Sequence, residues 1–486
     1  MLSSAPERLL VRGGHVVDPA SGVDGVCDVL IEDGRVVELR PELPAAGARV
    51  VDADGAYVLP GLVDSHVHLT HLANPHAVRT NAHERLARAG VTTAVEFFDF
   101  ASALNQWPAS TAGLTVLGLQ GIRSHQGTAS QAVVRDEIAA ALKGGAIGVK
   151  ILGGHFPNSP DTSARVIAES NELGAYCAFH AGTTRHGSNL DGMRETVELA
   201  DGNPVHVAHT NAYLRGATAD VDAENRAALD LLMGARRVVS EAHLAEFNVC
   251  VGSMTDGEPD DHIVINCLRL GGFPTGAAGL EKAFLAGYAH VLHDAGAEPA
   301  HVTGEEGLRL WRQDPGGTML NFPVNNRFSA FYQSCARVGA TGSLNWSGDG
   351  EFVVDAISSD GGSWRNVILR HGFSLVRFGA LTTSQLVDKA SRRPAQLFGL
   401  TAKGHLSPGA DGDVAVVEPN TGEVRLTIAG GRVVFDGENV ASRGGKVLTT
   451  AEGAAAITAR GITAEVIDLE TSTFRTRITR QPAPAA

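Results

Sequence analysis

The chain has 486 residues, of which 43% are hydrophobic and 19% are charged, as in ordinary globular proteins with a large core. Acidic residues outnumber basic ones by 54 to 40, and the formal net charge of −14 argues against nucleic acid and anionic membranes as partners. The five cysteines are scattered, which indicates reduced thiols, and no run is long and apolar enough for a membrane span. We therefore expect a cytoplasmic protein that acts on a small molecule.

The two ends of the chain share a pattern of short apolar runs separated by glycine-containing turns. The first 57 residues and residues 411–437 are rich in valine and isoleucine, with Asp-Gly and Gly-Gly between the runs, which predicts β-hairpins. Two such segments around a long α/β middle can pair into one small sheet. We therefore predict a β-sandwich domain from residues 1–60 and 401–450. A C-terminal extension, 451–486, follows, and its Pro/Ala-rich end is expected to fray or to make oligomer contacts.

Between these segments, strand-like and helix-like stretches alternate, with helices expected near 76–89 and 382–398. Eight such repeats predict an α/β fold, a (β/α)8 TIM barrel over residues 61–400, with functional residues at the C-terminal ends of the strands. The predicted strands are VLPGLVDSHVHL (58–69), VTTAVEFF (91–98), LTVLGLQG (114–121), AIGVKIL (146–152), AYCAFHA (175–181), PVHVAHT (204–210), FNVCVGS (247–253) and FVVDAISSDG (352–361).

The spacing before the last strand is too long for one repeat, since a βα unit takes about 30 residues. We predict that the excess, about residues 260–345, is an insertion over the mouth of the barrel, where long ordered insertions commonly act as lids. Its candidate substrate contacts are Trp311, Asn321, Asn325, Asn326, Arg327 and Tyr332.

Four histidines have the spacing of metal ligands. His66 and His68 point to the same side of the first strand, so their imidazoles can bind one divalent ion. His180 and His209 end successive strands and can bind a second ion. His206 is an alternative to His209, which we prefer because it precedes the polar exit of its strand.

Lys150 lies inside the apolar run AIGVKIL, in a chain with only six lysines. A buried lysine is costly unless it is paired or modified. It can reach an acid such as Glu96, or its amine can be carboxylated by CO2 to a carbamate that bridges two cations. The other candidate ligands favour the carbamate.

Asp360, in the glycine-rich turn ISSDGG, is the candidate catalytic acid–base. A carboxylate beside a metal-activated water can accept a proton and deliver it to a leaving group. Asp349 and Asp355 are the alternatives, one in a loop and one within a strand.

Three polar residues on the loops after strands 3 and 4 are candidates for substrate binding. Arg123, His125 and His155 could hold a substrate carboxylate or a developing oxyanion.

The sequence resembles the amidohydrolase superfamily over roughly residues 5–440. The matching pieces are PGLVDSHVH, GVTTAVEF, GAIGVKI, a histidine after strand 5, PVHVAHTN, SSDGG and SRRPAQLFGLTAKGHLSPGADGDVAVVEP. The resemblance implies a centre similar to that of hydantoinases, dihydroorotases and isoaspartyl dipeptidases. It places His66, His68 and Asp360 on one metal, His180 and His209 on the other, and carboxylated Lys150 between them.

Two features depart from the hydantoinase pattern. The long insertion and Glu96 are similar to D-aminoacylase-like members, which place a metal-bridging residue on strand 2, so Glu96 is the alternative bridge. In addition, Asp360 is followed by two glycines rather than by the His and Pro of hydantoinases, which argues against hydantoins as substrates.

The resemblance therefore predicts a homo-oligomeric, metal-dependent hydrolase that cleaves a C–N bond of an amide, cyclic amide, ureide or N-acyl amino acid. Two divalent ions, zinc first among them, would activate the water. The alternatives are a mononuclear D-aminoacylase-like deacylase, a heterocycle deaminase and a non-enzymatic barrel scaffold.

Overall fold

A computed structural model provides the structure of the protein. It describes residues 8–70, 81–107, 111–125, 127–293, 300–324, 326–362, 364–441 and 444–478, without the side chain of Asn326.

Segments from both ends of the chain form one eight-stranded sheet. Val414 and Pro60 are antiparallel neighbours, so the N-terminal and C-terminal segments are joined directly in this sheet. Valines and isoleucines from both segments, including Val58 and Ile428, fill its core. Its strands are β1 (Leu9–Asp18), β2 (Val23–Glu32), β3 (Arg35–Arg40), β4 (Arg49–Asp52), β5 (Tyr57–Pro60), β23 (Val414–Val417), β24 (Val424–Ala429) and β25 (Arg432–Phe435). They lie in the order β25-β24-β23-β5-β1-β2-β3, with β4 beside β1.

The middle of the chain forms the predicted barrel of eight parallel strands. Each strand pairs with the next in chain order, and hydrogen bonds from the Asp360 amide to the His66 carbonyl (3.0 Å) and from the His68 amide to the Gly361 carbonyl (2.6 Å) join the last strand to the first. The strands are β6 (Leu62–Val67), β7 (Val91–Glu96), β8 (Thr115–Gly121), β9 (Gly148–Ile151), β10 (Tyr176–Phe179), β11 (Val205–Val207), β12 (Val238–His243) and β22 (Ala356–Ser358).

The prediction for the seventh strand was wrong. The barrel uses Val238–His243, which pairs with β11 and β22, whereas FNVCVGS belongs to a separate sheet. Both segments are apolar and buried, so hydrophobicity does not separate them. The repeat length does, since Val205 pairs with Val238 and the two are about one βα unit apart.

Helices cover the outside of the barrel. Several begin at a side chain that accepts a backbone N–H, as Ser130 and Asp220 do, and Pro160 starts the helix that Ser159 caps. The helices are Ala82–Arg88, Phe100–Asn105, Gln131–Lys143, Pro160–Glu172, Leu190–Ala200, Val221–Gly234, Asn326–Cys335, Ile368–Arg377, Thr383–Val387 and Arg393–Leu397, with a 3-10 turn at Thr210–Tyr213 and a π turn at Asp388–Arg392.

An insertion between β12 and β22 has its own hydrophobic core, which includes Cys250 and Phe322. The helix Asn326–Cys335 is not part of it, because Ala330 and Cys335 pack in the barrel core. The folded unit therefore begins before residue 260 and ends before residue 345. Its elements are β13 (Asn248–Val251), β14 (Met254–Thr255), β15 (Glu258–Pro259), β16 (His290–His293), β17 (Ala300–Val302), β18 (Met319–Phe322) and the helices His262–Leu270, Ala277–Leu285 and Gly304–Gln313. Between this unit and β22 lie β19 (Arg337–Val338), β20 (Leu344–Asn345) and β21 (Glu351–Phe352).

As far as Ile478, the C-terminal segment packs on the barrel and does not fray. Phe474 stacks on Tyr176 with ring centroids 4.0 Å apart, and the amide of Arg237 donates to the carbonyl of Ile478 at 2.9 Å. This segment consists of β26 (Lys446–Thr449), β27 (Ala464–Val466), the helices Ala454–Ala459 and Thr473–Thr476, and the 3-10 turn Leu469–Thr471. Strand β26 pairs with β8 of the barrel. Residues 479–486, to which the prediction also applied, lie outside the described residues.

Within the described ranges, no helix is both long and apolar enough to span a lipid bilayer.

Candidate active site

The C-terminal ends of the barrel strands surround a pocket that is partly open to solvent. All six predicted metal ligands and His155 lie in its wall, together with residues from the insertion and from loops that the sequence did not single out. The lining residues are His66, His68, Lys150, Leu152, His155, His180, His209, Ala212, Arg215, Asn248, Val249, Ile263, Asp360, Trp364 and Arg365.

His66 is oriented by a buried carboxylate beneath the pocket. Its Nδ1 lies 2.8 Å from Oε1 of Glu241, which is fully buried. Since a carboxylate accepts, Nδ1 carries the proton and Nε2 presents a lone pair to the pocket. Burial, with the nearby Lys150 cation, holds the pKa of His66 well below its usual range. The ring is therefore neutral at pH 7, as a metal ligand must be.

His209 and His180 form the neighbouring part of the wall, where the His209 ring stacks 5.1 Å from the His66 ring. The backbone amide of His209 donates to Glu241 Oε1 at 2.7 Å, and its φ of 28° is unusual for a non-glycine residue. Nε2 of His180 lies 3.0 Å from the Ser188 hydroxyl, and the His180 and His209 rings are 4.5 Å apart. Burial and the neighbouring imidazoles hold both pKa values well below the usual range.

Asp360 joins the histidines to an arginine. Its Oδ1 lies 3.1 Å from Nε2 of His68 and 3.4 Å from Nε2 of His66, and its Oδ2 accepts from Arg365. Burial alone raises the pKa of Asp360, but Arg365 and the histidines outweigh burial and hold it well below its usual range. Asp360 is thus an anion, and it adopts a left-handed φ of 48° at the predicted glycine-rich turn.

Lys150 is 1% exposed, and its Nζ has no hydrogen-bond partner among the described residues. The amine lies 4.7 Å from the centroid of the Phe97 ring. Burial lowers the pKa of Lys150 to about 8, so roughly a tenth of the amine is uncharged at pH 7, far more than for an exposed lysine.

Glu96 does not face the pocket. Its carboxylate accepts from the backbone amides of Leu69, Phe98 (2.7 Å) and Asp99 (3.2 Å), and burial raises its pKa to about 7. These bonds tie together the loops after β6 and β7. The structure therefore gives Glu96 neither the bridging position nor the contact with Lys150 that the sequence left open.

Two predicted substrate-binding residues lie away from the pocket. Arg123 has an 85% exposed side chain, and His125 lies 3.3 Å from Glu137 on the outer helix. The alternative ligand His206 is also excluded from the lining, because its Nδ1 lies 2.9 Å from the Tyr176 hydroxyl within the barrel.

His155 connects the barrel to the insertion. Its Nδ1 lies 2.8 Å from Oδ2 of Asp261, a fully buried carboxylate that also accepts from the amides of Val251 and Ile263 at 2.8 Å. The His155 ring is 4.8 Å from the His180 ring. One aspartate thus begins the helix His262–Leu270, links it to β13 and orients an imidazole in the pocket wall.

The insertion reaches the pocket through Asn248, Val249 and Ile263 and not through the candidates chosen from the sequence. The indole of Trp311 donates to Gly252 inside the insertion, and Asn321 is buried within β18. The remaining described candidates bind surface acids, Arg327 to Glu246 and Tyr332 to Asp222. Asn325 and the side chain of Asn326 lie outside the described residues.

Replacing Asp261 with asparagine is expected to loosen this connection. The amide group cannot accept from all three donors, so we expect a loss of about 1–3 kcal/mol in the free energy of unfolding. Turnover should fall on the order of 10-fold, since His155 is no longer fixed. Denaturant unfolding and steady-state kinetics measure the two effects. The exposed Asp256→Asn is the control, and equal behaviour of the two variants would contradict the assignment.

Sequence reasoning missed four residues of the site: Arg215, Glu241, Asp261 and Arg365. Glu241 could have been found from the repeat length, which places strand 7 at VVSEAH. The other three are on loops or in the insertion, where no periodicity marks them.

The chain is similar in sequence to proteins named dihydroorotase. A protein named dihydroorotase from Anaeromyxobacter dehalogenans strain 2CP-1 is 29% identical over 459 residues, which cover 90% of this chain and 95% of that protein. A dihydroorotase from Geobacter metallireducens is 25% identical over 472 residues, with coverage of 88% and 99%. No protein-family model matches the chain.

Solved structures are similar over almost the whole chain. A D-aminoacylase described with a binuclear metal centre has a TM-score of 0.65 at 16% identity, covering 91% of this chain and 99% of that one. A D-hydantoinase from Bacillus sp. AR9 has a TM-score of 0.57 at 17% identity, with coverage of 90% and 98%. At these identities the likeness concerns the fold, a barrel with a second sheet domain.

Proposed function

The chain belongs to the amidohydrolase superfamily, and from this premise we propose that it hydrolyses a C–N bond of an amide, cyclic amide or N-acyl amino acid at a divalent metal centre. The observation that carries the proposal is that four histidines, Asp360 and the Lys150 amine, which has no hydrogen-bond partner in the described part of the chain, converge on one pocket.

The side chains present fit a metal. Because the Nδ1 proton of His66 goes to Glu241, the Nε2 lone pair faces the Asp360 anion at 3.4 Å. Two acceptors at this distance repel each other, and a cation between them removes the repulsion. One ligand atom each from His66, His209 and Asp360 lie within 4.8 Å of one another, which suits a single coordination sphere.

Lys150 fits the carbamate. A buried, partly neutral amine is the nucleophile that adds to CO2, forming the N–C bond with release of one proton. The product carries a negative charge and two oxygens, which suits a bridge between the His66 and His180 sides of the pocket. We propose Lys150, and not Glu96, as this bridge, since Glu96 is held by backbone amides.

Divalent ions, when bound, would polarise the scissile carbonyl and lower the pKa of water so that hydroxide is available at neutral pH. The protein then has to move one proton. We propose that Asp360 accepts it from the attacking water and releases it to the departing nitrogen. Arg365 fixes the Asp360 rotamer through Oδ2, leaving Oδ1 towards the histidines.

The structure also supports a second candidate, a mononuclear deacylase. The compact trio takes two ligand atoms, from His66 and Asp360, out of one predicted metal group and one, from His209, out of the other, so a single ion could be held without Lys150. A heterocycle deaminase would likewise use one ion. We further propose that the metal is zinc, that each chain holds two ions and that the protein is a homo-oligomer. We also propose domain boundaries at residues 60, 400 and 450.

The first experiment measures metal per chain in protein purified without chelator or histidine tag, and assays hydrolysis of dihydroorotate, dihydropyrimidines, hydantoins and N-acyl-D-amino acids. We expect close to two ions per chain and activity that is lost on chelation and restored by metal with bicarbonate. About one ion, with full activity, would favour the mononuclear candidate.

Two histidine variants make the assay specific. His66→Ala should lose both metal and activity, whereas His125→Ala, which lies outside the pocket, should keep both. Absence of metal and activity in the reconstituted wild-type protein would refute the proposed function.

A further inference from the structure

The guanidinium of Arg215 lies in the pocket wall without an acidic partner among the described residues. Arg215 is 7% exposed, its Nη1 donates to the Ser188 carbonyl at 3.2 Å, and its buried Nε finds no hydrogen-bond partner within the described ranges. Arginine does not lose its charge in proteins. A buried cation that is bound by one carbonyl alone is costly, and an anion would offset that cost.

The other charges of the pocket do not supply this anion. Asp360 is the one carboxylate in the described lining, and Arg365 binds it. The lining therefore holds two guanidinium groups, those of Arg215 and Arg365, beside one acid, in a chain whose net charge is −14. Positive charge is therefore concentrated in the pocket wall, although the chain as a whole is acidic.

Arg215 is held beside the metal ligands. Ser188 accepts from Arg215 through its carbonyl and lies 3.0 Å from Nε2 of His180 through its hydroxyl. The guanidinium is thus anchored on the His180 side of the pocket. Asn248 of the insertion lines the same pocket, and Leu152, Val249 and Ile263 provide apolar surface.

We propose that Arg215 binds a carboxylate of the substrate, so that the protein selects amides or ureides that carry an acidic group near the scissile bond. Arg suits this role because its fork matches a carboxylate with two parallel hydrogen bonds. The inference rests on the proposed function for the identity of the reaction, but the binding of the carboxylate can be tested without turnover.

The binding test uses isothermal titration of the metal-loaded full-length chain with succinate, neutral succinamide and acetohydroxamate, a neutral ligand directed at metal. We expect succinate to bind at least about tenfold more tightly than succinamide. Arg215→Gln should weaken succinate roughly 100-fold and Arg215→Lys by less, with metal content and acetohydroxamate binding unchanged. Arg123→Gln, on the exposed loop, should change nothing.

The kinetic test compares dihydroorotate with dihydrouracil, and each active N-acyl amino acid with its decarboxylated analogue. Arg215→Gln should lower kcat/KM for the acidic member of a pair by about 100-fold, chiefly through KM, and lower it far less for the neutral member. Equal loss for both members, or unaltered succinate binding in Arg215→Gln, would overturn the proposal. Failure of acetohydroxamate to bind, with succinate binding still dependent on Arg215, would instead refute the metal-dependent function alone.

Discussion

Replacing Lys150 with alanine is expected to abolish activity, with a loss on the order of 1,000-fold or more in kcat/KM. The variant lacks the amine that would become the bridging carbamate, so metal content should fall below that of the wild type. Folding should be retained, since the change removes a buried amine to which no described residue gives a hydrogen bond. Elemental analysis, kinetics and circular dichroism measure these three effects.

The control for this variant is Lys143→Ala, on the exposed end of the helix Gln131–Lys143. It should keep wild-type activity and metal. Short carboxylates such as acetate or propionate should partly restore Lys150→Ala, because they supply the missing anion. In the wild type, 13C-labelled bicarbonate should give a carbamate signal that Lys150→Ala lacks. Full metal content and activity in Lys150→Ala would exclude the carbamate bridge.

Replacing Glu241 with alanine should affect both stability and the metal centre. Its carboxylate accepts from His66, from the His209 amide and from the Ser358 hydroxyl, and thereby joins strands β6, β12 and β22 to the loop after β11. The variant leaves three buried donors without an acceptor, and we expect a loss of about 3 kcal/mol in the free energy of unfolding. Denaturant unfolding measures it.

The glutamine variant separates orientation from packing. Glu241→Gln keeps the size of the side chain but lacks one acceptor oxygen and the charge, so we expect smaller destabilisation and a 10- to 100-fold lower metal affinity, roughly the usual cost of losing a partner of a metal ligand. Glu246→Gln, on the surface beside Arg327, is the matched control. If Glu241→Gln bound metal as tightly as the wild type, the orienting role of Glu241 would be wrong.

The barrel and its ligand candidates could be predicted because they depend on local patterns. Alternation placed His66 and His68 on one side of a strand, and the repeat length brought Lys150, His180 and His209 to successive strand ends. A lysine within an apolar run is unusual in a globular protein, so the sequence alone identifies Lys150 as a candidate functional residue.

Choices between similar residues needed the structure. Glu96 and Lys150 were both buried candidates for the bridge, and only the backbone amides around Glu96 show that its carboxylate faces the loops. In the same way, Arg123 and Arg215 are both loop arginines in the sequence. One is exposed and the other is buried in the pocket wall, because loop conformation depends on contacts with other parts of the chain.

The sequence by itself determined the α/β barrel, the pairing of the chain's two ends and the positions of six candidate ligands, since strand periodicity and repeat length act over short distances. Tertiary structure decided which apolar segment is strand 7, where the insertion begins, and which side chains orient the ligands. Glu241 and Asp261 hold His66 and His155 over separations of 175 and 106 residues. Hydrogen bonds over such separations leave no periodic trace in the sequence.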